Sequence, residues 1–393
     1  MAGKNKIKLF LVMSVFCCFL LFQLSGPALA QSELEELKQR IEQLEGKVEK
    51  QEQESKDILG KLSENMTITG AIELDYSYTD PRDTTVVNSD STSNLDIGTV
   101  QLGVETQFHE WVTGNFVLKG ENLDDTDRVF WDEATITIQK EGFPLYFVGG
   151  HRGQPFGVFE SHTISDPITK DCYEIVKSGA TAGFTPDFLG LDISATVYKG
   201  EVLMSHLEEA EYGFGGTTRA TSAYDQTDDV ESYIANVTIS PLEGLDIGDL
   251  TVSAYFDSEP GDNDRNNTAG GTITYQYNIF TLDAEYIKAL KREKGADGIE
   301  NKESAWFGAV ACQVIDPLEI AVRYEGYDDD ISGDQDGHLE SRYILGANYT
   351  LFEKNDFATT LMLEYRRSNY EKEGGSTVDD TVDEVFARVA IEF

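Results

Sequence analysis

Only four cysteines occur in 393 residues, and two of them, Cys17 and Cys18, fall within the first thirty. The remaining Cys172 and Cys312 are too few for a disulfide framework; they leave open a single bridge or two apolar fillers. Histidine is as scarce. The five, at 109, 151, 162, 206 and 338, never stand in a metal-ligand spacing such as H-E-x-x-H. Ser161 and His162 are adjacent but have no identifiable third partner, so an enzyme built on a Ser/His pair has no support. Basic residues number 31 against 71 acidic ones, a net charge of −40. That balance excludes nucleic acid and anionic membrane surfaces as partners. Mean hydropathy is below zero, which excludes a bundle of membrane helices. It does not exclude a barrel, whose strands are apolar on one face only.

The first thirty residues read as a secretory signal peptide. Lys4, Lys6 and Lys8 form the positive region, Leu9 to Leu24 the apolar region, and Ala28-Leu29-Ala30 the cleavage site. Removing them takes three lysines and no acid. The apolar run is short for a membrane span, and Cys17 and Cys18 lack the small residues that precede a lipidated cysteine.

Residues 31–62 are rich in Glu, Lys and Gln. Leu34, Ile41, Val48, Ser55 and Leu62 take the a positions of a heptad seam, and Leu37, Leu44, Gln51 and Ile58 the d positions. This predicts a coiled coil of roughly 45 Å, at about 1.5 Å per residue. A helix with one narrow apolar stripe needs a partner, so the segment is expected to self-associate. The branched residues at a favour a dimer over a trimer, and the order stays open.

At Met66 the period changes from 3.5 to 2. Ile68, Ile72, Leu74, Tyr76 and Tyr78 alternate with Thr67, Thr69, Glu73, Asp75 and Ser77. A strand with acids on one face and apolar groups on the other separates water from something dry. About sixteen such segments follow, starting near 66, 96, 112, 129, 144, 172, 189, 230, 247, 268, 279, 303, 317, 339, 357 and 382. Short connections alternate with long acidic ones, which distinguishes a membrane barrel with tight periplasmic turns and long outer loops from a soluble sandwich. The fold expected is therefore all-β: an antiparallel transmembrane barrel of about 16 strands over 63–393, preceded by a short α-helical coiled coil. Both chain ends then lie in the periplasm. Aromatic residues gather near strand ends, as at Phe108 and Trp111, Phe130 and Trp131, and Phe352 and Phe357, where interfacial girdles sit.

Residues 147–169 break the alternation and enter a Gly/Pro-rich loop, the third long one. Glycines suit a backbone that bends into a tight space, and Pro155 and Pro167 stiffen it. Gly149, Arg152, Pro155, Phe156, Gly157, Glu160, Ile164, Ser165, Asp166, Pro167 and Thr169 resemble the siderophore-uptake porins of the LbtU type, and more loosely the phosphate-selective porins. The order of signal peptide, coiled coil and first strand is also similar. After Thr169 the chain reads Lys-Asp-Cys-Tyr-Glu and departs from that pattern. The resemblance implies an outer-membrane channel whose third loop folds inward, with Arg152, Gln154, Pro155, Phe156, Gly157, Glu160, Asp166 and Thr169 at the constriction. It implies small solutes or a ferric siderophore as cargo, and outer-membrane lipid and lipopolysaccharide as surroundings.

With the apolar face toward lipid, the lumen carries Glu73, Asp75, Glu105, Glu121, Glu133, Asp283, Glu285, Glu319, Glu325, Glu340 and Glu364. Fewer bases accompany them: Lys119, Arg323, Arg342, Arg366 and Arg388. The four arginines lie on the last four strands and suggest a basic wall facing an acidic loop. The alternative is local pairing, Arg323 with Glu325 and Arg366 with Glu364. Net acidity predicts a preference for cations. No cofactor is expected. The acidic outer loops suit diffuse Ca²⁺ or Mg²⁺, although Asp328, Asp330, Ser332 and Gly333 fail as an EF-hand because Leu339 stands at position twelve. The competing reading is a structural protein whose coiled coil tethers the membrane to the cell wall.

Overall fold

The computed structural model describes residues 65–82, 90–121, 123, 129–200, 203, 229–242, 245, 247–261, 264–294, 300, 302–328, 330, 339–354, 357–370 and 380–393, with Arg40. The chain divides into two units, Met1–Asn65 and Met66–Phe393. The expected signal peptide (1–30) and, Arg40 aside, the expected coiled coil (31–62) lie outside the described residues.

The second unit is a barrel of sixteen strands. The first eight are β1 (Met66–Arg82), β2 (Thr92–His109), β3 (Val112–Glu121), β4 (Phe130–Gln139), β5 (Leu145–Gly153), β6 (Val176–Phe184), β7 (Asp192–Tyr198) and β8 (Ser232–Ile239). The rest are β9 (Asp249–Glu259), β10 (Asn266–Tyr277), β11 (Phe280–Lys291), β12 (Ser304–Ile315), β13 (Leu318–Asp328), β14 (Leu339–Lys354), β15 (Phe357–Tyr370) and β16 (Asp380–Glu392). A six-residue helix, α1 (Ile168–Tyr173), lies between β5 and β6. Each strand pairs antiparallel with its sequence neighbours, and β1 pairs with β16. The last rung is Gly70 N–H to Phe393 O at 2.8 Å and Phe393 N–H to Gly70 O at 3.0 Å. Closure leaves no edge strand, the condition for a sheet to stand in hydrocarbon with every backbone group satisfied.

The period-2 pattern sets which face is which. Ile72, Leu74, Ile136, Ile138, Val322, Tyr343, Leu345 and Leu363 are each more than a third exposed, on the outer face of their strands. Arg323, Glu285, Glu325 and Glu364 are buried on the inner face. That inversion of the usual soluble arrangement decides against a sandwich, whose apolar face would be inside. All sixteen strands begin within four residues of the starts read from the sequence. The two-residue turn Asn278–Ile279 bends through a left-handed Asn278, φ +57°, a conformation asparagine tolerates.

One expectation needs correction. Glu340 is exposed and not on the lumen face, because the register slips between Leu339 and Ser341. Of the two readings left open for Cys172 and Cys312, the structure has the unbridged one: both are free, one buried in α1 and one on β12.

Candidate pore and its inward-folded loop

The chain leaves the wall at the end of β5. Gly150 has φ +140°, and a Cβ there would sit 2.1 Å from the Ala134 carbonyl oxygen of β4. Only glycine fits that approach, so β5 can turn while still paired. At the base of the loop, Gln154 N–H donates to Ile175 O at 2.7 Å, and Gln154 Nε2 donates to Arg152 O at 3.1 Å and Lys177 O at 2.5 Å. Residues 154–175 then run inside the barrel across the inner faces of β8 to β15.

The loop docks through two kinds of contact. One is apolar: Phe156, Ile168, Cys172, Tyr173 and Ile175 join Ile234, Tyr255, Ile287, Ala305 and Tyr327 of the wall in a buried cluster. Phe156 meets Tyr255 edge-on with ring centroids 5.0 Å apart. The other is a set of wall carboxylates that accept from the loop. Glu285 takes Val158 N–H at 2.8 Å and Thr169 Oγ1–H at 2.6 Å. Glu364 takes Ser165 N–H at 2.8 Å and Ser165 Oγ–H at 2.6 Å. Glu325 takes Ile168 N–H at 3.2 Å. Burying such acids is expensive unless they are hydrogen-bonded or paired, and the loop supplies the donors.

Arg323 is the central donor. It is fully buried and reaches Ser161 Oγ, Thr163 Oγ1, Ser165 O, Ser165 Oγ and Asp166 O at 2.7–3.0 Å, with Glu325 2.9 Å from its Nε. Arg342 bridges Asp171 of α1 and Glu325, each at 3.2 Å. His162 lies between Asp283 at 2.9 Å and Glu319 at 3.3 Å. Hydrogen bonds to those two carboxylates raise its pKa to about 10, so it is an imidazolium at neutral pH. Burial pushes the Cys172 thiol well above its usual range, which leaves it inert.

These positions revise the expected electrostatics. Arg323 and Arg342 face the loop and Glu325 instead of open lumen. Arg366 pairs with Glu384 at 2.7 Å, not with Glu364, which the loop occupies. Arg388 holds Asp75 at 2.7 Å and Glu73 at 3.1 Å. Among the described residues each of the four arginines has a carboxylate within 3.2 Å, as the local-pairing alternative has it, and Arg342 also meets Asp171 of the loop. Lys119 pairs with Glu121 at 2.5 Å, Glu133 accepts from Asn115 at 2.6 Å, and Arg152 donates to Thr181 at 2.9 Å. Of the constriction residues, Pro155 accepts from Asn236 through its carbonyl at 3.1 Å, and Gly157 has φ +85° beside the Phe159 ring. Glu160 and Asp166 are exposed, the latter paired with Lys170 at 3.0 Å. Ser161 and His162 turn to different partners and do not bond each other. Among the described residues, no group of three or more His, Cys, Asp or Glu side chains is placed to hold a metal ion.

The chain matches the Gram-negative porin family over residues 16–373. Among solved structures it is similar to the outer-membrane channel DcaP of Acinetobacter baumannii, at 14% identity and TM-score 0.57, over 83% of this chain and 96% of that one. It is similar to Salmonella typhi OmpF in complex with daunomycin, at 13% identity and TM-score 0.55, over 84% and 98%. It is also similar to an anion-selective porin from Comamonas acidovorans, at 13% identity and TM-score 0.54, over 83% and 99%. At these identities the likeness is one of fold. No curated protein sequence matches the chain.

Proposed function

The chain belongs to the Gram-negative porin family, and from that premise we propose that it is a passive diffusion channel whose passage is bounded by residues 154–175. One observation carries this reading. The loop is docked on one wall by buried hydrogen bonds to Glu285, Glu325 and Glu364, so the water path is left to the part of the wall that the loop does not cover. The loop carries Glu160 and Asp166 exposed, with Lys170 paired to Asp166. Cations are the preferred ions, an assignment that rests on the overall excess of acid and on the two exposed loop carboxylates. The test is the reversal potential of the purified chain in a planar bilayer under a KCl gradient; anion selectivity would overturn the preference.

A second reading rests on the likeness of Gly149 to Thr169 to the siderophore-uptake porins, and takes a ferric siderophore as cargo. Growth of an iron-starved deletion strain with and without the gene, on ferric siderophore as sole iron source, separates the two. Equal growth would remove this reading and leave the channel intact. Residues 1–30 act as an export signal, and residues 31–62 as a periplasmic self-associating segment. Lipopolysaccharide is the outer lipid partner, with diffuse Ca²⁺ or Mg²⁺ at the acidic loops. If deleting 31–62 spares conductance but weakens the envelope, the segment is also a tether.

A further inference from the structure

From β11 to β16 the inner wall carries ionised side chains, engaged by the loop or by each other, and β2 to β4 carry Glu105, Lys119, Glu121 and Glu133 nearer their middle and far ends. At the end with the short connections, β2 to β4 carry an uncharged row. Gln107 lies opposite Thr113, and Thr113 opposite Thr137, as direct cross-strand partners. Such partners hold their Cβ atoms about 5 Å apart. Gln139 stands two residues beyond Thr137, on the same face. The alternate positions Phe108, Phe116, Ile136 and Ile138 point outward and are exposed. The four inward side chains line a cavity of about 890 Å³ together with Thr185, Trp111 and Phe143.

From this row we infer a binding site for a neutral, hydroxyl-rich solute of the saccharide class, on the β2–β4 wall at the short-connection end. The inference rests on the channel reading and adds the solute class. No described residue is a hydrogen-bond partner of the side chains of Gln107, Thr113, Thr137 and Gln139. Two amides and two hydroxyls therefore present both donors and acceptors to the cavity. Farther along the wall, Thr181 and Thr196 are bonded to each other at 2.8 Å and offer less. Formal charge reaches the cavity only from the turns, through Glu110, Lys140, Glu141 and Asp187, and the Lys140 ammonium lies 4.8 Å over the Trp111 ring. An ion gains little from amides and hydroxyls that water does not already give it. A polyol exchanges its water contacts for a fixed array of matched ones, and its C–H faces meet the exposed parts of Trp111 and Phe143. The volume falls within the usual ligand range of about 300–1,000 Å³.

The experiment is single-channel recording of the full chain in a planar bilayer, with maltotriose added on either side. Concentration-dependent interruptions of the ion current are expected. The shape-conserving variant Thr113→Val/Thr137→Val, alone and with Gln107→Leu/Gln139→Leu, should raise the half-blocking concentration about tenfold or more, for the loss of two or more hydrogen bonds. Its open-channel conductance should stay within about twofold of the unaltered chain, which verifies the fold. Interruptions unchanged in the variants, or absent from a conducting wild-type channel, would overturn the site. Equal interruption by citrate would overturn the neutral class. Absence of any conductance would instead remove the channel reading on which the site rests.

Discussion

Replacing Arg323 with Met tests whether the inward loop is held by the network described. The guanidinium is fully buried, donates five hydrogen bonds to residues 161–166 and lies 2.9 Å from Glu325. Methionine fills much of the volume but leaves Glu325 with Arg342 as its remaining cation and leaves the loop hydroxyls without their donor. Truncating one member of a buried pair costs about 3–5 kcal/mol. The loss falls on loop docking, because the sixteen-strand closure does not pass through Arg323. At about 1.4 kcal/mol per tenfold, the undocked fraction rises by roughly two to four orders of magnitude. Limited proteolysis with fragment mass analysis should show new cleavage between residues 154 and 175. Single-channel records should show a larger or noisier conductance. Arg366→Met is the control: its pair with Glu384 is partly solvated and lies outside the loop, so a change of about 1 kcal/mol or less is expected. An Arg323→Met chain with wild-type conductance and unchanged protease resistance would refute the reasoning.

Gly150→Ala forces a Cβ to within 2.1 Å of the Ala134 oxygen in a backbone region reserved for glycine. It should destabilise the β4–β5 pairing by about 1–3 kcal/mol, read as a lower temperature for the shift from folded to unfolded mobility on a gel. Thr169→Val removes a donor from buried Glu285 while keeping shape; about 1–3 kcal/mol of loop docking should be lost, visible as cleavage near α1 under conditions that spare wild type. His162 adds a pH dependence with a definite sign. Its folded pKa of about 10 lies above the ordinary value of 6.5. Its favourable contribution is therefore complete below about pH 6.5, declines above that, and is lost as pH rises through about 10. Wild-type conductance should drift upward across that window relative to His162→Gln; parallel curves would show that the imidazolium does not hold the loop.

The barrel was legible because a membrane strand needs strict alternation and a closed sheet needs every strand. Leu74 beside Asp75, or Val322 beside Arg323, states which side is dry. The alternation of short and long connections gave the strand count and relative direction. A loop at 147–169 was legible from glycines and prolines where a strand should have continued, and its inward course was implied by the family resemblance; its extension through the helix Ile168–Tyr173, where a strand start near 172 was expected, was not. The partners were not. Glu285, Glu325 and Glu364 read as water-facing acids, because periodicity gives the face of a strand but not what lies on it. A signal was present: inward acids crowd β11 to β15, opposite a loop with Ser161, Thr163, Ser165 and Thr169 as donors. The Arg366 partner was missed because antiparallel register sets it opposite Glu384 of the next strand, a relation that no spacing within one strand contains. Glu340 was misplaced by a bulge, which shifts parity without a mark in the alternation.

The most direct test of the loop-bounded channel is single-channel conductance of the purified full chain in planar bilayers. It should be compared with a chain in which residues 156–173 are replaced by a short Gly/Ser turn joining β5 to β6. The unaltered chain should give discrete, ohmic openings, and the shortened chain openings several-fold larger with weaker ion selectivity. A silent wild-type chain, or two chains of equal conductance, would contradict it.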